Sequence, residues 1–206
     1  MGPPEDFAAS ARAFVDVVGR LAPGDLALPG LGEWDVRALV GHTSRALVTV
    51  EAYLSEGREP VEVEDPADYF LAVLGDPAGS AERAERDAAI AERGRQAGAD
   101  LGDDPAAAVA ELAERVIGLV ERTPPDAPVA TPAGTMRLSG YLPTRTLELT
   151  VHTLDLCRAV GVTTPASLDG PVASTLGLLA AIAGRRPDRA DLLLQLAGRG
   201  GSAGAL

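Results

Sequence analysis

Thr144–Gly161 reads TRTLELTVHTLDLCRAVG, and the reading of this run decides the fold. At about 100° per residue, a helix puts Tyr141, Arg145, Glu148, His152, Asp155 and Ala159 on one narrow face. Leu142, Leu149 and Leu156 line one side of that face; Leu147, Val151 and Leu154 line the other. A polar row that faces solvent normally has polar flanks. This row has apolar flanks on both sides, so the pattern predicts a helix whose polar stripe points into a bundle. Burying Arg, Glu, His and Asp together costs several kcal/mol unless they are paired or hold a cation.

Glu148 and His152 stand one helical turn apart, about 6 Å, within reach of one ion. The chain has only two histidines. The other is His42, in GEWDVRALVGHTSRALVTV (residues 32–50). It lies about 120° from the centre of its own helix's apolar stripe, a border position that a neighbouring helix can reach. Two imidazoles and a carboxylate, with water as fourth ligand, suit zinc in a catalytic role. The same donors also accept nickel or iron. Spacing alone leaves an alternative open, since Glu-x3-His on a helix is commonly an i,i+4 surface pair. Arg145 and Asp155, one turn to either side, are placed to orient the ligands or to meet a substrate carboxylate.

Working outward, a first helix is expected over about 5–21, with Phe7, Phe14, Val17, Val18 and Leu21 on one face. Asp35 is an N-cap for a second helix reaching about Leu54, and Trp34 with Leu39 has the spacing of a hydrophobic staple. Residues 58–79 are mixed and acidic, with a short apolar piece, Tyr69-Phe70-Leu71. Residues 80–97 are Ala, Glu and Arg, read as a solvent-facing helix or the exposed start of a longer one. Asp104-Pro105 starts a third core helix ending near Arg122. Residues 127–138 are expected as an extended crossing loop. Ser139 is the expected cap of the fourth core helix, with Pro143 in its first turn and Gly161 at its end. Two shorter helices, around 171–184 and 188–197, precede a glycine-rich end. The expectation is an all-α protein. A four-helix bundle fills 1–162, and a small helical appendage fills 163–206.

Composition narrows the function. The apolar fraction is 46% but the aromatic fraction only 3%, so the core is built from Ala, Leu and Val. A net charge of −12, with no basic stripe, argues against a nucleic-acid partner. No uninterrupted apolar run of about 18 residues marks a membrane span. The start MGPPEDFAAS has no basic-then-apolar leader. A cytoplasmic location is the expectation. Cys157 is the single cysteine, so no intramolecular disulfide forms. It points about 140° away from His152, as a packed residue. The tail GRGGSAG lacks the lysine and helix of a phosphate-binding loop.

GEWDVRALVGH, together with PAGTMRLSGYLPTRTLELTVHTLDLCRAVG, resembles the mycothiol-dependent maleylpyruvate isomerase N-terminal family of the DinB-like superfamily. The likeness covers roughly residues 5–162. It implies a DinB-like four-helix bundle and a divalent metal, zinc as a rule, on the positions His42, Glu148 and His152. It also implies that a low-molecular-weight thiol such as mycothiol reaches the metal. The composition, rich in Ala, Gly and Arg, resembles that of GC-rich actinobacterial proteomes. Isomerase members carry a larger C-terminal α/β domain, whereas the stretch after Pro165 is short here. The substrate is therefore open.

The leading expectation is a thiol-dependent isomerase or S-transferase acting on a small electrophilic or carboxylate substrate. Arg145 would receive a carboxylate or oxyanion, or else pair with Glu148 or Asp155. Tyr141 and Tyr53 would donate hydrogen bonds or simply pack, and Asp155 would orient His152 or Arg145. A metal-dependent hydrolase on the same site and a non-catalytic metal-binding or interaction domain stay open beside it. DinB-like bundles often dimerise, so the resemblance leaves a homodimer open.

Overall fold

The computed structural model describes residues 2–74 and 80–199. Part of the mixed 58–79 stretch and most of the glycine-rich end therefore lie outside the described residues. Among those described there are eight helices, α1 (Pro3–Gly19), α2 (Val36–Glu56), α3 (Pro66–Leu74), α4 (Ala81–Asp100), α5 (Pro105–Arg122), α6 (Leu138–Val160), α7 (Asp169–Arg185) and α8 (Arg189–Leu196). Two small antiparallel hairpins join them: β1 (Pro29–Leu31) with β2 (Trp34–Asp35), and β3 (Pro128–Thr131) with β4 (Gly134–Arg137).

Helices α1, α2, α5 and α6 form the bundle. Both α6 and α5 pack on α1 and on α2, which closes the ring. Phe7, Phe14 and Val17 of α1 meet Leu39 and Leu47 of α2, Val109 and Val116 of α5, and Leu142, Leu149 and Leu156 of α6 in one buried core. Local chemistry starts and stops these helices as their sequences suggest. Asp35 accepts a hydrogen bond from the Ala38 amide at 2.8 Å, and Asp104 accepts from Ala107 at 3.0 Å. These satisfy amides that have no partner inside the helix. Gly161 ends α6 at φ 69°, a conformation that favours glycine.

Several details differ from the sequence expectation. Residues 128–137 form the β3–β4 hairpin rather than a crossing loop. Its strands carry Val129, Thr131 and Thr135, and Pro132-Ala133 forms the turn into Gly134, whose φ is 118°. Helix α6 starts at Leu138, and Ser139 does not cap it: no side chain does, and the Ser139 amide donates to the Pro125 carbonyl at 2.9 Å. Pro143 therefore falls in the second turn, where it removes one helical hydrogen bond, to the Ser139 carbonyl. The acidic stretch hides α3, which Asp65 begins by accepting from the Ala67 amide at 2.8 Å.

The 80–97 segment is the N-cap and most of α4, the largely exposed start of a helix that runs on to Asp100, but it is not only solvent-facing. Although polar, α4 packs along α2 through two buried glycines, Gly94 and Gly98. A Cβ on Gly98 would stand 2.6 Å from the Arg37 carbonyl oxygen, and one on Gly41 would land on the Gly98 backbone. The two backbones meet because neither carries a side chain there.

In the appendage, α7 packs on α1, α3 and α6 and buries Leu178 and Ile182. Ser174 donates to Asp6 at 2.5 Å, and Arg185 makes a bidentate pair with Asp65. The stretch Ala166–Arg185 is long and apolar enough to cross a membrane by length and composition alone. One such helix, packed on three others, is no evidence of a membrane.

Candidate metal centre

Helices α2 and α6 lie side by side in the bundle and turn His42, Glu148 and His152 toward one another. The ligand atoms of the three residues all lie within 4.8 Å of each other. The His42 and His152 rings meet edge to face, with centroids 4.8 Å apart. His152 Nε2 lies 3.3 Å from Glu148 Oε2 and its Nδ1 lies 3.2 Å from Asp155 Oδ2. The polar stripe of α6 thus does point inward, and its spacing places a carboxylate at each end of one imidazole.

The two histidines sit in opposite electrostatic settings. Burial, helped by the nearby His152, lowers His42 to a pKa of about 4, so it is neutral at physiological pH. Burial also pulls on His152, but its hydrogen bonds to Asp155 and Glu148 outweigh that and raise it to about 9. Burial pushes Glu148 up, yet the hydrogen bond from His152 and the charge of Arg145 hold it below its ordinary value. A neutral imidazole and an ionised carboxylate are the protonation states that bind metal.

One atom tests whether these residues fit an ion. His42 Nδ1 is buried and has no hydrogen-bond partner. An unpaired buried polar atom costs roughly 1–3 kcal/mol, and such orphans in a folded protein call for an explanation. A metal shared with Glu148 and His152 would supply one. The donor set of two nitrogens and one oxygen matches catalytic zinc sites with an open position. Asp155 on the far ring nitrogen of His152 is the kind of outer partner that fixes a ligating imidazole.

A cavity of about 540 Å³ opens beside the centre, with His42, Glu148 and Arg145 among its lining residues. Asp155 and Tyr141 do not line it. Arg145 is only 9% exposed. It donates to Thr144 Oγ1 at 3.0 Å and to the Tyr69 hydroxyl at 3.3 Å, and the Tyr141 and Tyr69 rings flank it at 5.0 and 5.5 Å. These aromatic faces offset part of the cost of burying the cation. Neither Glu148 nor Asp155 forms an ion pair with it. Tyr141 is fully buried behind Arg145, with its hydroxyl donating to Thr49 at 3.0 Å. Tyr53 and Tyr69 line the cavity instead.

Sequence reasoning missed Tyr69, whose signal was Asp65-Pro66 ahead of an apolar run, a helix start. It also missed the reach of Trp34. That ring lies 4.4 Å from His42 and tilted 32° to it, and its indole donates to the Ala91 carbonyl of α4 at 2.9 Å. Cys157 is buried on the core side, as its phase suggested.

The family model for the mycothiol maleylpyruvate isomerase N-terminal domain matches residues 7–157. The chain belongs to this family. The matched span includes all three candidate ligands, from α2 through α6. No curated protein and no solved structure matches the chain.

Proposed function

We propose that the protein is a metal- and thiol-dependent isomerase or S-transferase whose centre is His42, Glu148 and His152. The observation that carries this reading is their convergence beside the cavity, with a buried His42 nitrogen left unpaired. A divalent ion there, zinc by its donor set, would hold a low-molecular-weight thiol such as mycothiol as its thiolate near neutral pH. The chain's own residues supply the rest. Asp155 holds Nδ1 of His152 and so turns Nε2 to the centre. Trp34 braces the His42 ring. Arg145 presents a fixed positive charge to a carboxylate or developing oxyanion of a small electrophile in the cavity. Tyr141 and Tyr69 position that guanidinium from behind and beside.

The test is elemental analysis of protein purified without chelator, alongside His42→Ala and His152→Ala variants. About one divalent ion per chain is expected in wild type and little in either variant, because three protein ligands are the minimum for this kind of site. A metal-free wild type would end the reading. Thiols are then titrated into cobalt-substituted protein. A change in the visible spectrum supports thiol binding at the metal; no change with any thiol transfers the site to a hydrolase or a binding module.

A further inference from the structure

The cavity beside the centre is strongly cationic in an otherwise acidic protein. The chain carries 18 basic and 30 acidic residues, yet five arginines line this one space: Arg45, Arg83, Arg86, Arg93 and Arg145. Among the described residues that line it, Asp87 and Glu148 are the carboxylates. Glu148 belongs to the metal centre. Asp87 lies 3.5 Å from Arg83, with both side chains substantially exposed, a kind of pair that contributes little. Arg83, Arg86 and Arg93 recur at helical spacing along one face of α4. Arg45 reaches the same cavity from α2, one turn beyond His42. Among the described residues the Arg45 and Arg93 guanidiniums have no carboxylate or hydrogen-bond partner.

We propose that Arg45, with Arg93 and Arg83 of α4, forms a binding site for a phosphate-type oxyanion, and that the small molecule handled at the centre carries such a group. The chemistry of the two common anions decides the class. A carboxylate has two oxygens in one plane and a single charge, which one bidentate arginine satisfies. Arg145 already provides that, deep in the cavity. A phosphomonoester carries nearly two charges and three acceptor oxygens in a tetrahedral array, so it accepts from guanidiniums approaching from several directions. Guanidiniums from two helices around one space match the second pattern. The cavity, at about 540 Å³, lies in the range of small-molecule sites. The substrate claim rests on the reaction proposed above; anion binding itself needs neither metal nor thiol.

The test is calorimetric titration of the full chain, stripped of metal by chelator, at low ionic strength. The probes are inorganic phosphate, glycerol 3-phosphate and succinate. Phosphate is expected to bind saturably and about tenfold more tightly than succinate, which carries at least as much charge but splits it between two separate planar groups. The ester should bind at least as well as phosphate. Arg45→Gln should weaken phosphate binding about tenfold and Arg93→Gln severalfold, while Arg158→Gln, on the exposed side of α6, should not change it. Because Arg93 is exposed, that variant folds and carries the test even if Arg45→Gln does not. No saturable phosphate binding, equal or tighter succinate binding, or wild-type affinity in both variants overturns the site. Failure of the ester to bind overturns the substrate claim. The titration uses metal-free protein, so its outcome does not depend on the metal. A missing metal thus counts against the reaction, and a missing anion against this inference.

Discussion

His152 is lifted to about 9 and His42 lowered to about 4, although both rings are buried in one centre. The difference is local: His152 has a carboxylate at each nitrogen, and His42 has none at Nδ1. The sign of the consequence follows. A raised pKa means that His152 without metal is charged across neutral pH, and ligation requires the neutral ring. Metal uptake at pH 7–8 should therefore release about one proton, and affinity should rise with pH until it levels near the His152 value. His42, already neutral, adds nothing to the release. Asp155→Asn removes one of the two carboxylates that hold the proton, so it should shrink the release. Calorimetry in two buffers of different ionisation enthalpy measures it, and metal binding with no proton released would contradict this account. At this scale the sequence was informative in part. Glu148, His152 and Asp155 share a helix, so their spacing fixes their geometry. His42 and Tyr69 come from other helices, and no periodicity within one element reports distances between two. For Arg145 the sequence left open a substrate anion or an ion pair with Glu148 or Asp155; no such ion pair forms among the described residues, and the rings of Tyr69 from α3 and Tyr141 from its own helix flank it instead.

Among the elements, α4 is where composition misleads. Its polar, arginine-rich sequence reads as a solvated helix, yet it lies along α2 and supplies three cavity arginines. The informative residues are the ones without side chains. Gly41, Gly94 and Gly98 let two backbones and the Trp34 ring come together; a Cβ on Gly94 would sit 2.8 Å from that ring. Gly41→Ala forces a methyl group into the Gly98 backbone, which cannot rotate away. The expected cost is about 1–3 kcal/mol, as for other overpacked sites, with α4 displaced from α2. Thermal unfolding reads the cost, and Trp34, the only tryptophan, reports the displacement by its fluorescence. Gly19→Ala is the control. It ends α1, its Cβ would meet nothing within 4 Å, and alanine there should be neutral or stabilise by a few tenths of a kcal/mol. Equal loss from both substitutions would show that the α2–α4 contact is not tight. The β3–β4 hairpin was legible in principle, since Val-Ala-Thr-Pro-Ala-Gly-Thr-Met carries β-branched residues around a Pro-Gly-containing turn. Helices were well marked throughout because caps and 3.6-residue periodicity act locally, within one segment.

For the molecule as a whole, the centre joins two helices that are far apart in sequence. His42 is on α2 and the other two ligands are on α6, with α3, α4, α5 and the β3–β4 hairpin between them. An ion held by all three therefore binds the folded bundle and has no comparable site in the unfolded chain. Its binding free energy adds to folding stability as RT ln(1 + [L]/Kd), about 2.7 kcal/mol at one hundred times Kd. For a chain of this size each kcal/mol moves the midpoint by roughly 2–4 °C, so saturating metal should raise Tm by roughly 5–10 °C over chelator-treated protein. The appendage helix α7 is coupled to the same unit through Leu178, Ile182 and the Ser174–Asp6 hydrogen bond, so one cooperative transition is expected to shift rather than a partial one. The control is His42→Ala, which leaves Glu148 and His152 on α6 but removes the link to α2. In that variant the metal-dependent shift should vanish even if weak binding to α6 persists, because two ligands on one helix tie nothing together. A shift of the same size in the variant would mean that metal stabilises α6 alone, and the bundle would then lack the cross-link that its geometry describes.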